Sequence, residues 1–279
     1  MNRGLVSQTA LKVAAMMLSL NADRAWRQRL PAGLADVTRE LLLAANVPPY
    51  TPGVIALNER RAIYLLSLAY ERLLPGVFTG IGERKIFMDR QTRAGLDTGA
   101  RQVLVIGAGF DTLCLRLAPE FPGVEFVEID HPATSEAKGR GLEAVGRPSN
   151  LRQVAADLGE QPIADLLAGD SAWSRDARSF VVAEGLLMYL NEQDVLGLFN
   201  GIADSVGAGS RFAFSWPLGV RRYFFSNAML QIIGEPWLSA TTSASLPGYI
   251  GERWLVTGVE EPLGNKAIEG FALAERAGL

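Results

Sequence analysis

Hydrophobic positions fall into two regimes along this chain. Up to about residue 100 they recur three and four residues apart, the spacing of amphipathic helices, over Leu11 to Leu20, Gly33 to Ala45 and Ile55 to Leu74. Pro31-Ala32-Gly33, Pro48-Pro49, Pro52-Gly53 and Pro75-Gly76 punctuate these segments, and no strand pattern lies between them. A further helix, roughly Glu83 to Asp97, leads into the second regime.

From Gln102 onward short β-branched runs alternate with helical stretches, the pattern of successive βαβ units around a parallel sheet. The runs Val103 to Ile106, Val124 to Ile129, Arg152 to Ala155, Phe180 to Ala183 and Arg211 to Phe214 predict five strands. Helices are predicted between them at Thr112 to Leu117, Ala133 to Val145, Pro162 to Leu167 and Gln193 to Val206. The fold class is therefore α/β, a Rossmann-like, doubly wound, mostly parallel sheet. Beyond Pro217 the pattern predicts a helix over Arg221 to Ile233, a strand over Trp254 to Val259 and a last helix over Lys266 to Ala277.

Composition narrows the chemistry. One cysteine, Cys114, excludes an internal disulfide and any multi-cysteine metal site, and the lone histidine, His131, cannot supply a His-rich one. A net charge of -3 provides no broad basic field for a phosphate backbone, so a nucleic-acid partner is not expected. Lys12 interrupts the apolar run from Leu5 to Leu20, which reads as an amphipathic helix rather than a secretion signal. No uncharged apolar stretch reaches the roughly 18 residues of a membrane span. A cytoplasmic protein acting on a small molecule, with no membrane partner, is the expectation.

The segment Val103-Leu104-Val105-Ile106-Gly107-Ala108-Gly109-Phe110-Asp111-Thr112 runs from an apolar strand through a glycine turn to a helix start. Gly107 and Gly109 let a ligand approach the backbone, and Asp111 or Thr112 can cap the helix. A dinucleotide fingerprint would place its third glycine where Thr112 stands, and Asp111 would repel a diphosphate. About twenty residues on, Glu128-Ile129-Asp130 ends the second strand where a carboxylate can accept ribose hydroxyls. Asp130 is the favoured acceptor, with turn-capping before His131-Pro132 as its competing role. Asp157, in Ala155-Ala156-Asp157-Leu158, stands where a carboxylate can accept from an adenine amino group, and Glu184-Gly185 ends the fourth strand at the ligand edge of such a sheet, a structural ion pair being the other reading of Glu184.

Together with Leu186-Leu187-Met188-Tyr189-Leu190, these segments resemble the leucine carboxyl methyltransferase family of class I methyltransferases, which includes bacterial polyketide O-methyltransferase-like members; the resemblance spans roughly residues 5 to 217. Gly82-Glu83-Arg84-Lys85-Ile86-Phe87-Met88-Asp89 looks like the family segment that delivers an arginine to a methionine carboxylate, and Ser7-Gln8-Thr9-Ala10 is similar to its N-terminal lid. The resemblance implies S-adenosyl-L-methionine as cofactor. It implies Arg84 on the cofactor carboxylate and Gly107, Ala108, Gly109, Asp111 and Thr112 lining the methionine moiety. Asp130 and His131 then border the ribose, Asp157 and Leu158 the adenine, and Glu184 and Gly185 the amino end. Tyr189 becomes the candidate for orienting the acceptor, with packing as its competing role. Residues 1–98 are then a lid with its lead-in helix, and 99–279 a catalytic domain with a substrate-pocket insertion near 218–250.

A carboxylate acceptor is favoured over a hydroxyl, because methyl transfer to it needs alignment but no general base. Arg221 and Arg222 stand where they can attract an anionic acceptor. The family pattern also calls for a terminal antiparallel strand pair, which a helix over 266–277 leaves to be supplied around Tyr249 to Val259 or missing. Two other readings stay open: a nicotinamide-dependent oxidoreductase, and a non-catalytic protein that binds S-adenosyl-L-methionine.

Overall fold

The computed structural model describes residues 5–72, 76–218, 237–262 and 268–278. Its sheet has seven strands in the order β3-β2-β1-β4-β5-β7-β6, with β1 (Gln102–Ile106), β2 (Glu125–Asp130), β3 (Leu151–Ala155), β4 (Ser179–Ala183) and β5 (Arg211–Pro217) parallel. The five predicted strands are these, within a few residues at each end. Every residue of β1 and β4 is buried, as expected of strands covered on both faces. Side-chain alternation splits them between two cores: Val103 and Val105 join Phe126 and Phe180 on one side, while Leu104 and Ile106 join Val127 and Val181 on the other.

Among the described residues six helices precede the sheet: α1 (Gln8–Asn21), α2 (Arg24–Arg29), α3 (Leu34–Ala45), α4 (Pro52–Asn58), α5 (Arg61–Glu71) and α6 (Thr79–Asp97). The segment predicted as one helix from Ile55 is two among the described residues. Ser19 Oγ donates to the Asn58 carbonyl at 2.9 Å and Arg60 is extended, so a tertiary hydrogen bond ends α4 where no breaker residue does. The short α2 was not predicted; Asp23 caps it by accepting from Ala25 and Trp26 N–H. Leu11 and Leu18 of α1, Leu41 and Leu42 of α3 and Phe87 of α6 share the core that Val103 and Val105 enter.

Helices α7 (Leu113–Leu117), α8 (Pro132–Val145), α9 (Ile163–Ala168) and α10 (Glu192–Ala203) follow β1 to β4 in turn, and α11 (Leu246–Ile250) leads to β6 (Trp254–Glu260). The predicted C-terminal helix over 266–277 is corrected: β7 (Glu269–Arg276) is an antiparallel strand between β5 and β6. Its Ala, Leu and Glu content mimics a helix because both faces are covered, so polar and apolar residues do not alternate. Large and small residues do: Phe271 and Leu273 face the Phe87 side, while Ala272 and Ala274 leave room for Phe199, Phe212, Phe214 and Trp254 on the other. The terminal strand pair is therefore present. The predicted helix over Arg221 to Ile233, the pair Arg221 and Arg222, and much of the insertion near 218–250 lie outside the described residues.

Chain order reverses at β1, which has β2 on one side and β4 on the other. Ligands of open α/β sheets bind outside the carboxyl ends of the strands at such a switch point. Ile106 is level with Ala183, so the next residues, Gly107 and Glu184, leave adjacent strand tips side by side. Because β7 runs the other way, its first residue, Glu269, is level with Pro217 and comes to the same edge.

Candidate active site

Three glycines shape the switch point. Gly107, Gly109 and Gly185 have φ of 67°, 47° and 63°, a region that side chains with a Cβ rarely adopt. Gly107 and Ala108 donate to the Ile129 carbonyl at 2.8 and 3.2 Å, tying the loop to the tip of β2. Asp130 holds the next turn: one carboxylate oxygen accepts from Gly109 N–H at 2.6 Å and the other from His131 N–H at 2.6 Å. Burial pushes the Asp130 carboxyl above the usual carboxylate range, only partly offset by these two donors. His131 Nε2 lies 3.9 Å from Asp157 Oδ2, and His131 Nδ1 is buried without a hydrogen-bond partner among the described residues. Asp157 is about one-third exposed, and Leu158 packs partly buried against the core that Leu104 and Val181 enter.

Facing the loop is a buried ionic cluster. Arg84 Nε donates to Glu184 at 3.0 Å, and Arg84 Nη1 donates to both oxygens of Glu269 at 2.8 and 2.6 Å. Lys85 Nζ meets Glu184 at 2.8 Å and also pairs with Asp111. Burial alone would favour a neutral lysine, but Asp111 and Glu184 outweigh it and hold the Lys85 pKa above its ordinary value. Asp111 is likewise held well below the usual range, Lys85 overcoming the effect of burial. A depressed Asp111 and a raised Lys85 both favour the folded state between roughly pH 4 and pH 10, the ordinary values of the two groups. That contribution fades as Asp111 takes up a proton below this window and as Lys85 loses one above it.

Asp111 is ionised and paired with Lys85, and its Oδ1 accepts from Leu113 N–H at the start of α7, the capping role its place in the sequence allowed. Thr112 is fully buried and makes no side-chain cap. The fold thus brings Arg84, Asp111, Glu184, Gly185 and the Gly107–Gly109 loop to one place, with Asp130, His131 and Asp157 along the tips of β2 and β3. Tyr189 ends a single 3-10 turn, Leu187–Tyr189, beyond Gly185 and is partly exposed.

Lys85, Glu269 and Ser215, whose hydroxyl accepts from Gly185 N–H at 2.9 Å, were not identified from the sequence. Only Lys85 carried a signal, as the neighbour of Arg84 on a helix that faces the sheet edge. Helix α1 lies across the loop, so close that a Cβ on Gly109 would come within 2.9 Å of the Ala10 methyl. Ser7 N–H donates to Thr134 Oγ1 at 3.1 Å, fixing the start of α1 to α8.

A surface hollow of about 310 Å³, lined by Asn21, Arg27, Leu30, Gly33 and Asp36, lies beside the other end of α1. Eleven residues of helix, about 16 Å, separate Asn21 from Ala10, so this hollow is not part of the cradle.

Residues 18–203, more than half of the chain, match the leucine carboxyl methyltransferase family model. The chain belongs to that family. An inferred S-adenosyl-L-methionine-dependent methyltransferase of Mycobacterium leprae is 33% identical over 201 residues, covering 67% of this chain and 60% of its own. The chain spans about half to three fifths of the length of the curated relatives it matches. A methyltransferase structure inferred by type from Thermobifida fusca, 16% identical, superposes with a TM-score of 0.59 over 89% of this chain and 98% of that one. The geranyl diphosphate C-methyltransferase of Streptomyces coelicolor, solved with S-adenosyl-L-homocysteine, is 10% identical with a TM-score of 0.51, covering 71% of this chain and 78% of that one. At these identities the structural likeness concerns the fold.

Among the described residues no helix is long and apolar enough to cross a membrane, and no group of three His, Cys, Asp or Glu side chains is arranged to hold a metal ion.

Proposed function

We propose that this protein is an S-adenosyl-L-methionine-dependent O-methyltransferase acting on a small-molecule carboxylate. One observation carries the reading: a glycine cradle at the sheet's switch point is faced by a buried arginine and two carboxylates, Glu184 and Asp130. The donor set fits the cofactor. Arg84 supplies a planar cation for the α-carboxylate, Glu184 an acceptor for the ammonium, and Asp130 free lone pairs for the ribose hydroxyls. His131, whose Nδ1 is buried without a partner among the described residues, stands beside Asp130 at the ribose, and Asp157 offers an acceptor to the purine amino group. When bound, the cofactor supplies an electrophilic methyl group. The chain's own residues bind and orient, and α1, seated over the loop through Ala10, excludes water from it.

A nicotinamide dinucleotide fits less well. Its pyrophosphate needs an open helix N-terminus behind the loop, and Thr112 fills that position, fully buried. Residues 1–98 serve in this reading as the lid with its lead-in helix and 99–279 as the catalytic domain, with Tyr189 as the candidate to orient the acceptor. No general base is assigned, which is why a carboxylate acceptor is preferred to an alcohol or phenol. The test is methyl transfer from radiolabelled S-adenosyl-L-methionine to matched panels of carboxylic acids and phenols. Base-labile methyl ester formation on at least one acid class is expected; transfer confined to phenols would overturn the acceptor assignment.

The raised Asp130 pKa gives the pH dependence a sign. Only the ionised carboxylate can accept from both ribose hydroxyls, so affinity for S-adenosyl-L-homocysteine should fall on acidification, starting at a higher pH than an ordinary aspartate would set. Asp130→Asn should weaken binding by about 2 kcal/mol at neutral pH and flatten that acid limb. Titration calorimetry between pH 5 and pH 8 reads both effects, and an unchanged acid limb in the variant would assign the dependence elsewhere.

A further inference from the structure

Glu269 has no part in the roles above, yet it occupies the site's centre of charge. It is the first residue of β7, 8% exposed, at the edge where the parallel strands end. Its two oxygens grip one nitrogen of Arg84 while Glu184, just past the tip of β4, takes Nε. Two carboxylates at the ends of two different strands therefore fix the rotation of a planar group whose own torsions are soft. Nη2 makes no hydrogen bond to protein among the described residues. Both terminal nitrogens lie 3.1 Å from where a Cβ on Gly185 would stand, so glycine at that position leaves the guanidinium its space.

We propose that Glu269 is a positioning residue for cofactor recognition: by holding Nη1 it turns Arg84 so that Nη2 meets the carboxylate at the amino-acid end of the cofactor. The proposal rests on the reading of Arg84 given above. The charges support it. Arg84 and Lys85 face Asp111, Glu184 and Glu269, so the cluster carries one carboxylate in excess. A merely structural pair would not need that excess. It complements a ligand end that presents an ammonium and a sulfonium together with its single carboxylate.

The test compares S-adenosyl-L-homocysteine with 5′-methylthioadenosine, a nucleoside thioether that lacks the amino-acid end, by calorimetry on the full-length wild type, Glu269→Gln and Arg84→Lys. Glu269→Gln should lose about tenfold in affinity for the homocysteine compound while 5′-methylthioadenosine changes by no more than about twofold. An unchanged or tightened affinity for the homocysteine compound would overturn the proposal, as would a parallel loss for both ligands. Glu269→Asp keeps the charge with a shorter reach, and should show the same selective loss even if the glutamine variant fails to fold; a parallel loss there also overturns the proposal. The underlying reading is scored separately. A wild type that does not prefer the homocysteine compound, or an Arg84→Lys variant that keeps the full preference, sinks the role of Arg84 and the proposal with it.

Discussion

Arg84→Met is expected to destabilise the unliganded protein by about 3–5 kcal/mol, the usual consequence of removing one partner from a buried ion pair. The methionine fills similar space, so the loss is one of charge. Glu184 keeps Lys85 as a partner at 2.8 Å, but Glu269 loses the cation that both its oxygens face. An uncompensated buried carboxylate favours its protonated form, so the deficit should shrink as the pH is lowered toward 5. Urea unfolding at pH 7.5 and pH 5.5 measures both the size and the sign. A variant within about 1 kcal/mol of wild type at both pH values would mean that Arg84 is not the keystone of this cluster.

The second large effect is expected far from the ligand. Gly95 lies within α6, where helix propensity alone predicts that alanine should stabilise by about 1 kcal/mol. A Cβ there, however, would stand 2.1 Å from a ring carbon of Phe180 in the fully buried strand β4. The ring is close-packed and cannot retreat without displacing neighbours, so Gly95→Ala is expected to cost about 2–3 kcal/mol. Phe180→Leu in the same chain should recover part of that loss by removing the opposing edge. Thermal and urea melts of the single and double variants give the coupling directly, and a stabilised Gly95→Ala would show that α6 can lift from the sheet.

Much of the fold was legible because its signals are local. The strands β1 to β5 appear as short apolar runs between breakers, and Gly107 and Gly109 mark the turn that only a positive φ permits. What was missed depends on contacts distant in sequence. β7 reads as helix from its alanines and glutamates, and is a strand because β5 and β6 flank it and bulky aromatics require small residues on one face. The break before Arg61 depends on the hydroxyl of Ser19, in a different helix.

The same division holds at the candidate site. Residues at strand tips, Asp130, Asp157 and Glu184, could be found from strand ends and motif resemblance. Their partners could not: Glu269 is 185 residues from Arg84, and no spacing rule connects them. The partner of Asp111 was missed for that reason, since Lys85 reaches it from a helix that the sequence places in another part of the chain.

The central claim is that the cradle between β1 and β4 is built for S-adenosyl-L-methionine and its product. Calorimetric titration of the folded wild-type protein with S-adenosyl-L-homocysteine, alongside NADH, tests it most directly. We expect saturable one-to-one binding of S-adenosyl-L-homocysteine in the micromolar range and none of NADH. No saturable binding of S-adenosyl-L-homocysteine at millimolar concentration, in protein shown by circular dichroism to be folded, would contradict the claim.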